Sequence, residues 1–247
     1  MKEVYYINKQ PYSADCLKLA VDKGLNIAQE HSDVTTMVIM VPTTSQFTLL
    51  SCLFSSNVIK NRYTHVPQLN LGIRIETVKT YTPHVSDNHI LIPLCVSQND
   101  LIKFEDEWNA RFWIIVPWLM TEMVSWLKVH SAVDVQTGDT ITNDYCLDEK
   151  VENGIGWLKA TSYPNEGFIH PLDSNRLKCM ANAISACGLG VTYDSVLHYC
   201  INNGINHDGG RKIADAFVKA QTRKFKTDGN YPLKFLKEMM DEKHKDL

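Results

Sequence analysis

Along the first half of the chain, short apolar and β-branched runs alternate with longer amphipathic segments, the pattern of strands joined by crossover helices. Five strands are predicted. Val4 to Asn8 leads into a helix from an N-cap at Ser13 through Leu17, Ala20, Val21, Gly24 and Leu25 at helical spacing. Val34 to Val41 is apolar at nearly every position from Met37, as expected where both sheet faces are covered. Pro42 closes it before a helix from Thr44 or Ser45 to about Val58. In Gly72 to Tyr81, Ile73, Ile75 and Val78 alternate with Arg74, Glu76 and Lys79, which places the third strand near an edge with one wet face. Pro83, Ser86, Asp87 and Asn88 precede the fourth strand, His89 to Cys95, and leave too few residues for a crossover helix, so a hairpin or short connection is predicted. A helix from Ser97 to Trp108, a fifth strand from Arg111 to Val116 and an amphipathic helix from Leu119 to Val133 complete the pattern.

Beyond residue 134 the rhythm is lost, with Gly138, Gly154, Gly156, Pro164, Gly167 and Pro171 punctuating mostly polar sequence. After Asp173-Ser174, an N-cap pair, helices are predicted at about 174–187, 192–203, 210–226 and 231–244. The expected fold is α/β: a Rossmann-like three-layer sheet of about five mainly parallel strands, with a hairpin-like irregularity, followed by an all-helical C-terminal region. Residues 1–135 form the α/β domain, 136–172 an irregular linker or excursion, and 173–247 the helical domain.

Composition adds exclusions. The chain opens without an apolar segment or a small-residue cleavage pattern. Its most lipid-like stretch, Phe112 to Val129, is interrupted by Pro117, Glu122 and Lys128, which argues for a core strand and helix and against a membrane span. Seven scattered cysteines without a C-x-x-C pair fit reduced, mostly buried thiols, hence a cytoplasmic location and no structural zinc. The P-loop, the dinucleotide fingerprint and the G-x-S-x-G elbow are all absent, which removes the main support for ATPase, dehydrogenase and hydrolase readings.

Ligands of open α/β sheets bind outside the carboxyl ends of the strands. Of the groups expected there, Pro42-Thr43-Thr44-Ser45-Gln46 is the most ligand-like, because hydroxyls and backbone N–H groups at a helix start can hold a phosphate or carboxylate. Lys9 would add a charge, and Glu122 lies at the same edge; the alternative for Thr44 or Ser45 is an ordinary helix cap. Ser97-Gln98-Asn99 reads as a cap. His84, Asp87 and His89 are metal-binding types, but they fall on a turn that wants Ser, Asp and Asn for its geometry. His207-Asp208 reads as a helix start, and Glu76 with Lys79 as a solvated strand face. No metal site is expected, and no cofactor is identified.

Ala186 to Tyr199 has features of a helix-turn-helix: Ala186 for close packing, Gly190 for the turn, Thr192 as cap, and Val196 and Tyr199 facing inward. Its second helix carries no Arg or Lys, so a plain helix pair is the competing reading. The net charge of −3 conceals a basic stretch from Arg211 to Lys237. Arg211, Lys212, Lys219, Arg223 and Lys224 are its candidates for contacting nucleic acid or an acidic partner.

These features point to a binding or sensor protein in which the α/β domain holds a nucleotide-like or other anionic ligand and the helical region contacts nucleic acid or a partner protein. The order of elements resembles in outline sensors that join a nucleotide-binding Rossmann-like domain to a DNA-binding tail; no residue role is carried over from that likeness. The alternatives are an enzyme acting on a nucleotide or nucleic acid, and a structural subunit of a larger assembly.

Overall fold

The computed structural model describes residues 2–9, 13–82, 88–105, 107, 109–142 and 145–242. The chain divides into two compact units, Met1–Thr142 and Asn143–Leu247.

The first unit is built on a seven-stranded sheet: β1 (Glu3–Tyr6), β2 (Val34–Val41), β3 (Tyr63–Val66), β4 (Leu71–Thr77), β5 (Asn88–Pro93), β6 (Ala110–Ile115) and β7 (Val133–Asp134). The spatial order is β3-β4-β2-β5-β6-β1-β7, parallel throughout except for the β3–β4 pair. The α/β class holds; the strand count is seven where five were expected.

Side-chain alternation divides the sheet between two cores. Met37, Ile39 and Val41 of β2, Ile90 and Ile92 of β5, and Phe112 and Ile114 of β6 face one side, where Cys16, Leu17, Ala20 and Ile27 of α1 (Ala14–Glu30) cover them. Val38, Met40, Leu91, Trp113 and Ile115 face the other, against Leu101 of α3 (Gln98–Leu101 in chain order, after the short α2, Ser56–Asn61) and Met123, Trp126 and Leu127 of α4 (Met120–Val129). This double covering explains why β2 and β6 read as continuous apolar runs. Ser13 caps α1 as expected, its side chain accepting from the Cys16 N–H at 3.1 Å.

Of the hairpin or short connection expected between the third and fourth strands, the hairpin does not form, because β2 stands between them. β4 and β5 both lie parallel to β2, one on each side of it, and residues 78–82, which follow β4, are nonhelical. The helix expected from Thr44 to Val58 is instead a 3-10 segment, Thr44–Cys52, followed by α2. The helix expected to reach Trp108 ends as α3 and a 3-10 turn at Ile102–Phe104, and that expected to reach Val133 stops at Val129; Trp108 lies outside the described residues.

The second unit is helical: α5 (Glu149–Thr161), α6 (Pro171–Ala186), α7 (Tyr193–Asn202), α8 (His207–Ala220) and α9 (Leu233–Asp241). Within 136–172, expected to be irregular, α5 contributes Val151, Ile155 and Leu158 to the core at helical spacing. Its Gly154 lies against Met180 of α6 and Met240 of α9, where an added Cβ would sit 3.0 Å from the Met180 sulfur. α6 starts earlier than expected, with Pro171 in its first turn, and Asp173 is buried, accepting from the Tyr163 N–H at 3.2 Å and from Arg176 Nη1 at 2.9 Å. Among the described residues no helix is long and apolar enough to cross a membrane.

Candidate functional site

At the carboxyl end of β2, the Thr43 N–H donates to Gln46 Oε1 and the Gln46 N–H donates to the Thr43 carbonyl, both at 3.1 Å. Thr43 Oγ1 and Ser45 Oγ share a hydrogen bond at 2.7 Å. Thr43, Thr44 and Ser45 are exposed. Lys9 is also exposed and lines a depression of about 400 Å³ with Asp15, Lys18, Leu19, Asp22, Val135 and Gln136, where two carboxylates offset two ammonium groups. Glu122 is exposed in the first turn of α4. Two strands, β5 and β6, stand between β2 and β1, so the Thr43 and Lys9 strand ends lie about 14 Å apart. Lys9 and Thr43–Gln46 therefore line different parts of the edge.

A buried polar cluster at the opposite end of β5 escaped the sequence reading. The Tyr81 hydroxyl donates to Glu107 Oε2 at 2.5 Å and hydrogen-bonds His89 Nε2 at 2.6 Å. With the phenol proton directed to Glu107, the imidazole supplies the donor in the second bond. Burial pushes the Tyr81 hydroxyl far above its usual range, and the bond to Glu107 pushes it further. Burial also raises Glu107, against the opposing pull of that bond and of Lys2. Nearby, Glu105 Oε1 accepts from Trp126 Nε1 and lies 3.3 Å from His130 Nε2. Tyr81 ends a strand read as alternating with one wet face and His89 opens the next, where the preceding turn meets it, so spacing carries no sign of their meeting. His84 to Asp87, the rest of the metal candidate, lie outside the described residues. Among the described residues no group of three metal-ligating side chains occurs.

The outer corner of the sheet carries a third feature. Thr35, Thr36, Tyr63, His65, Asn70, Gly72 and Arg74 line a cavity of about 380 Å³. Register puts His65, Gly72 and Thr36 abreast on one face, with Tyr63 and Arg74 abreast beside them. Arg74 Nη2 donates to Glu76 at 2.8 Å, and Glu76 also accepts from Thr80 Oγ1 at 2.6 Å. Both Glu76 carboxylate oxygens are thus engaged within the sheet corner itself.

In the helical unit the five basic candidates divide into two groups. Arg211 and Lys212 are ion-paired with Asp208 at 3.0 and 2.8 Å, and Lys212 Nζ also donates to the Gly167 carbonyl. Both bonds hold Asp208 below the usual carboxylate range, that from Lys212 most. Lys219, Arg223 and Lys224 are exposed, and their side chains make no hydrogen bond or ion pair among the described residues. Arg223 and Lys224 lie beyond α8, which ends at Ala220 and not near residue 226. They belong to a nonhelical strap fastened to α6: the Phe225 N–H donates to Asn182 Oδ1 at 2.8 Å, and Asn182 Nδ2 donates to the Phe225 carbonyl at 3.0 Å. Asn175 makes a similar double contact with Asp228, at 3.2 and 2.6 Å. Lys226, on the same strap, is exposed and likewise without a side-chain partner among the described residues.

The helix-turn-helix reading meets corrections. Ala186 is exposed, so it mediates no close packing, and Gly188 rather than Gly190 takes the left-handed turn conformation, at φ 69°. α7 packs chiefly on α8. Thr192 does cap α7, accepting from the Ser195 N–H at 3.2 Å, and Val196 is buried. All seven thiols are free; Cys16, Cys179 and Cys200 are buried, and burial raises the pKa of each.

Comparison with family models, curated proteins and solved structures finds no match to this chain.

Proposed function

We propose that this chain is a binding protein: its α/β unit, read as Rossmann-like, holds a nucleotide-like or other anionic ligand, and its helical unit contacts nucleic acid. The observation that carries the reading is the strap. Arg223, Lys224 and Lys226 stand exposed without intramolecular counterions among the described residues, on a segment whose backbone Asn182 and Asn175 hold in place, and Lys219 stands likewise exposed in the last turn of α8 just before it. Unneutralised cations on a fixed backbone can meet phosphates without an ordering cost for the main chain, and each phosphate they neutralise releases counterions. Arg211 and Lys212 contribute less, because Asp208 already neutralises part of their charge.

The absence of Lys and Arg from α7 argues for contacts to backbone phosphate rather than to base edges. A protein partner with an acidic surface is the second reading, favoured by the same charges. The test is fluorescence anisotropy of the full chain against single- and double-stranded DNA and RNA at low and moderate salt. The companion protein has Lys219, Arg223, Lys224 and Lys226 all changed to Ala. Salt-sensitive binding that the quadruple variant loses supports the nucleic-acid reading. Absence of binding at low salt removes it.

A further inference from the structure

The cavity at the outer corner of the sheet has a composition that neither strand formation nor core packing requires. Tyr63 and His65 are alternate residues of β3 and therefore share a face, about 6.6 Å apart along the strand. Tyr63 is large yet 52% exposed. Its ring lies across Gly72: a Cβ at that position would come within 3.2 Å of Tyr63 Cε2 and 3.3 Å of its hydroxyl. Glycine inside a strand weakens it and commonly marks a close approach, here that of an aromatic ring to the sheet.

The polar groups around this ring are available. Neither Tyr63, His65, Asn70, Thr35 nor Thr36 makes a side-chain hydrogen bond among the described residues. Arg74 uses one terminal nitrogen on Glu76 and keeps further N–H donors in its planar fork. An aromatic platform with a guanidinium, an imidazole, hydroxyls and an amide beside it is the equipment for stacking a base and bonding its sugar and phosphate. The cavity's volume of about 380 Å³ falls in the range of small-ligand sites.

We infer that this corner of the β3-β4-β2 sheet binds one nucleotide unit, with the base stacked on Tyr63 and the sugar-phosphate bonded by Arg74, His65 and the neighbouring hydroxyl and amide groups. The inference rests on the proposed ligand-holding role of the α/β unit but moves the ligand away from Thr43–Gln46. It does not depend on the basic strap. The unit has two sources, a free mononucleotide or a base within a single strand.

The experiment is calorimetric titration of the full chain with AMP, adenosine, inorganic phosphate and a short single-stranded RNA. It is repeated with Tyr63→Ala, Tyr63→Phe and the quadruple strap variant. The expected result is binding of AMP, RNA or both that Tyr63→Ala weakens by about tenfold or more, while Tyr63→Phe keeps the stacking surface and most of the affinity. Binding of AMP without RNA identifies a free nucleotide as the ligand, and binding of RNA without AMP identifies a base within a strand. Retention of Tyr63-dependent AMP binding by the strap variant separates this site from the helical one. The inference is overturned if neither AMP nor RNA binds, if Tyr63→Ala binds as tightly as the natural chain, or if inorganic phosphate binds as tightly as AMP.

Discussion

Asn182 grips the backbone of Phe225 with both ends of its amide, accepting from the N–H at 2.8 Å and donating to the carbonyl at 3.0 Å. A single side chain on α6 thereby replaces the strand partner that this stretch of the strap lacks. Asn182→Ala removes both bonds at once and should cost about 1–3 kcal/mol of stability. Asn182→Asp retains the acceptor but loses the donor, so it should fall between the two in chemical denaturation. Both variants should also weaken nucleic-acid binding, because Arg223, Lys224 and Lys226 would then have to be ordered on contact.

Asp208 restrains the other part of the basic surface. Asp208→Asn removes the counterion of Arg211 and Lys212 and should tighten nucleic-acid binding while steepening its salt dependence. Stability should change little, by about 0–1 kcal/mol at neutral pH, because the ion pairs are partly exposed. Parallel anisotropy and denaturation series on the two proteins check both expectations.

Glu107 gives a pH dependence of a definite sign. Burial raises its carboxyl above the ordinary 4.5, so between that value and its folded-state pKa the folded chain holds more protons than the unfolded chain. The contribution of Glu107 to stability is therefore greatest at low pH and falls as pH rises through that window. Glu107→Gln can still accept from the Tyr81 hydroxyl and cannot ionise. The stability difference, natural chain minus Glu107→Gln, should decrease as pH is raised above about 4.5 and then level off; denaturant midpoints measured across pH reveal the trend.

Two glycines should respond differently to alanine. At Gly209 the added Cβ would lie 2.3 Å from the Pro164 carbonyl oxygen, a backbone atom, so α8 and the Pro164–Glu166 turn would have to separate. Overpacking of that kind should cost about 1–3 kcal/mol. At Gly24 the nearest atom is the terminal methyl of Met37, at 2.6 Å, which can move by rotation of a flexible side chain. Gly24→Ala should cost less than Gly209→Ala in thermal or chemical denaturation.

The sequence exposed elements whose pattern is set by their own residues. β2 shows a long apolar run because both its faces are covered, and α1 shows its stripe and its Ser13 cap. β3 was missed because four residues with two exposed side chains hold too little alternation, and its neighbour Arg62 reads as a charged loop residue although it takes the left-handed turn at φ 55°. α5 was missed because Gly154 and Gly156 resemble helix breakers; Gly154 is tolerated where Met180 and Met240 crowd it. The β4–β5 relationship depends on β2 lying between them, a long-range pairing that local spacing does not encode.

The candidate sites follow the same division. Lys219, Arg223 and Lys224 were legible as a basic cluster, but their contrast with Arg211 and Lys212 depends on where Asp208 and Asn182 lie in space. Tyr63 and His65 were passed over because nothing in the sequence shows that Gly72 and Arg74 stand beside them. A Gly opposite an aromatic on a neighbouring strand is recognisable only once the register is known.

The most direct measurement is the salt dependence of nucleic-acid affinity for the natural chain and the quadruple Ala variant of Lys219, Arg223, Lys224 and Lys226. If these four cations neutralise phosphates, the slope of log K against log salt should become shallower in the variant by about 3, with affinity reduced most at low salt. An unchanged slope, or no binding by the natural chain at low salt, would contradict the assignment of the strap as a nucleic-acid surface.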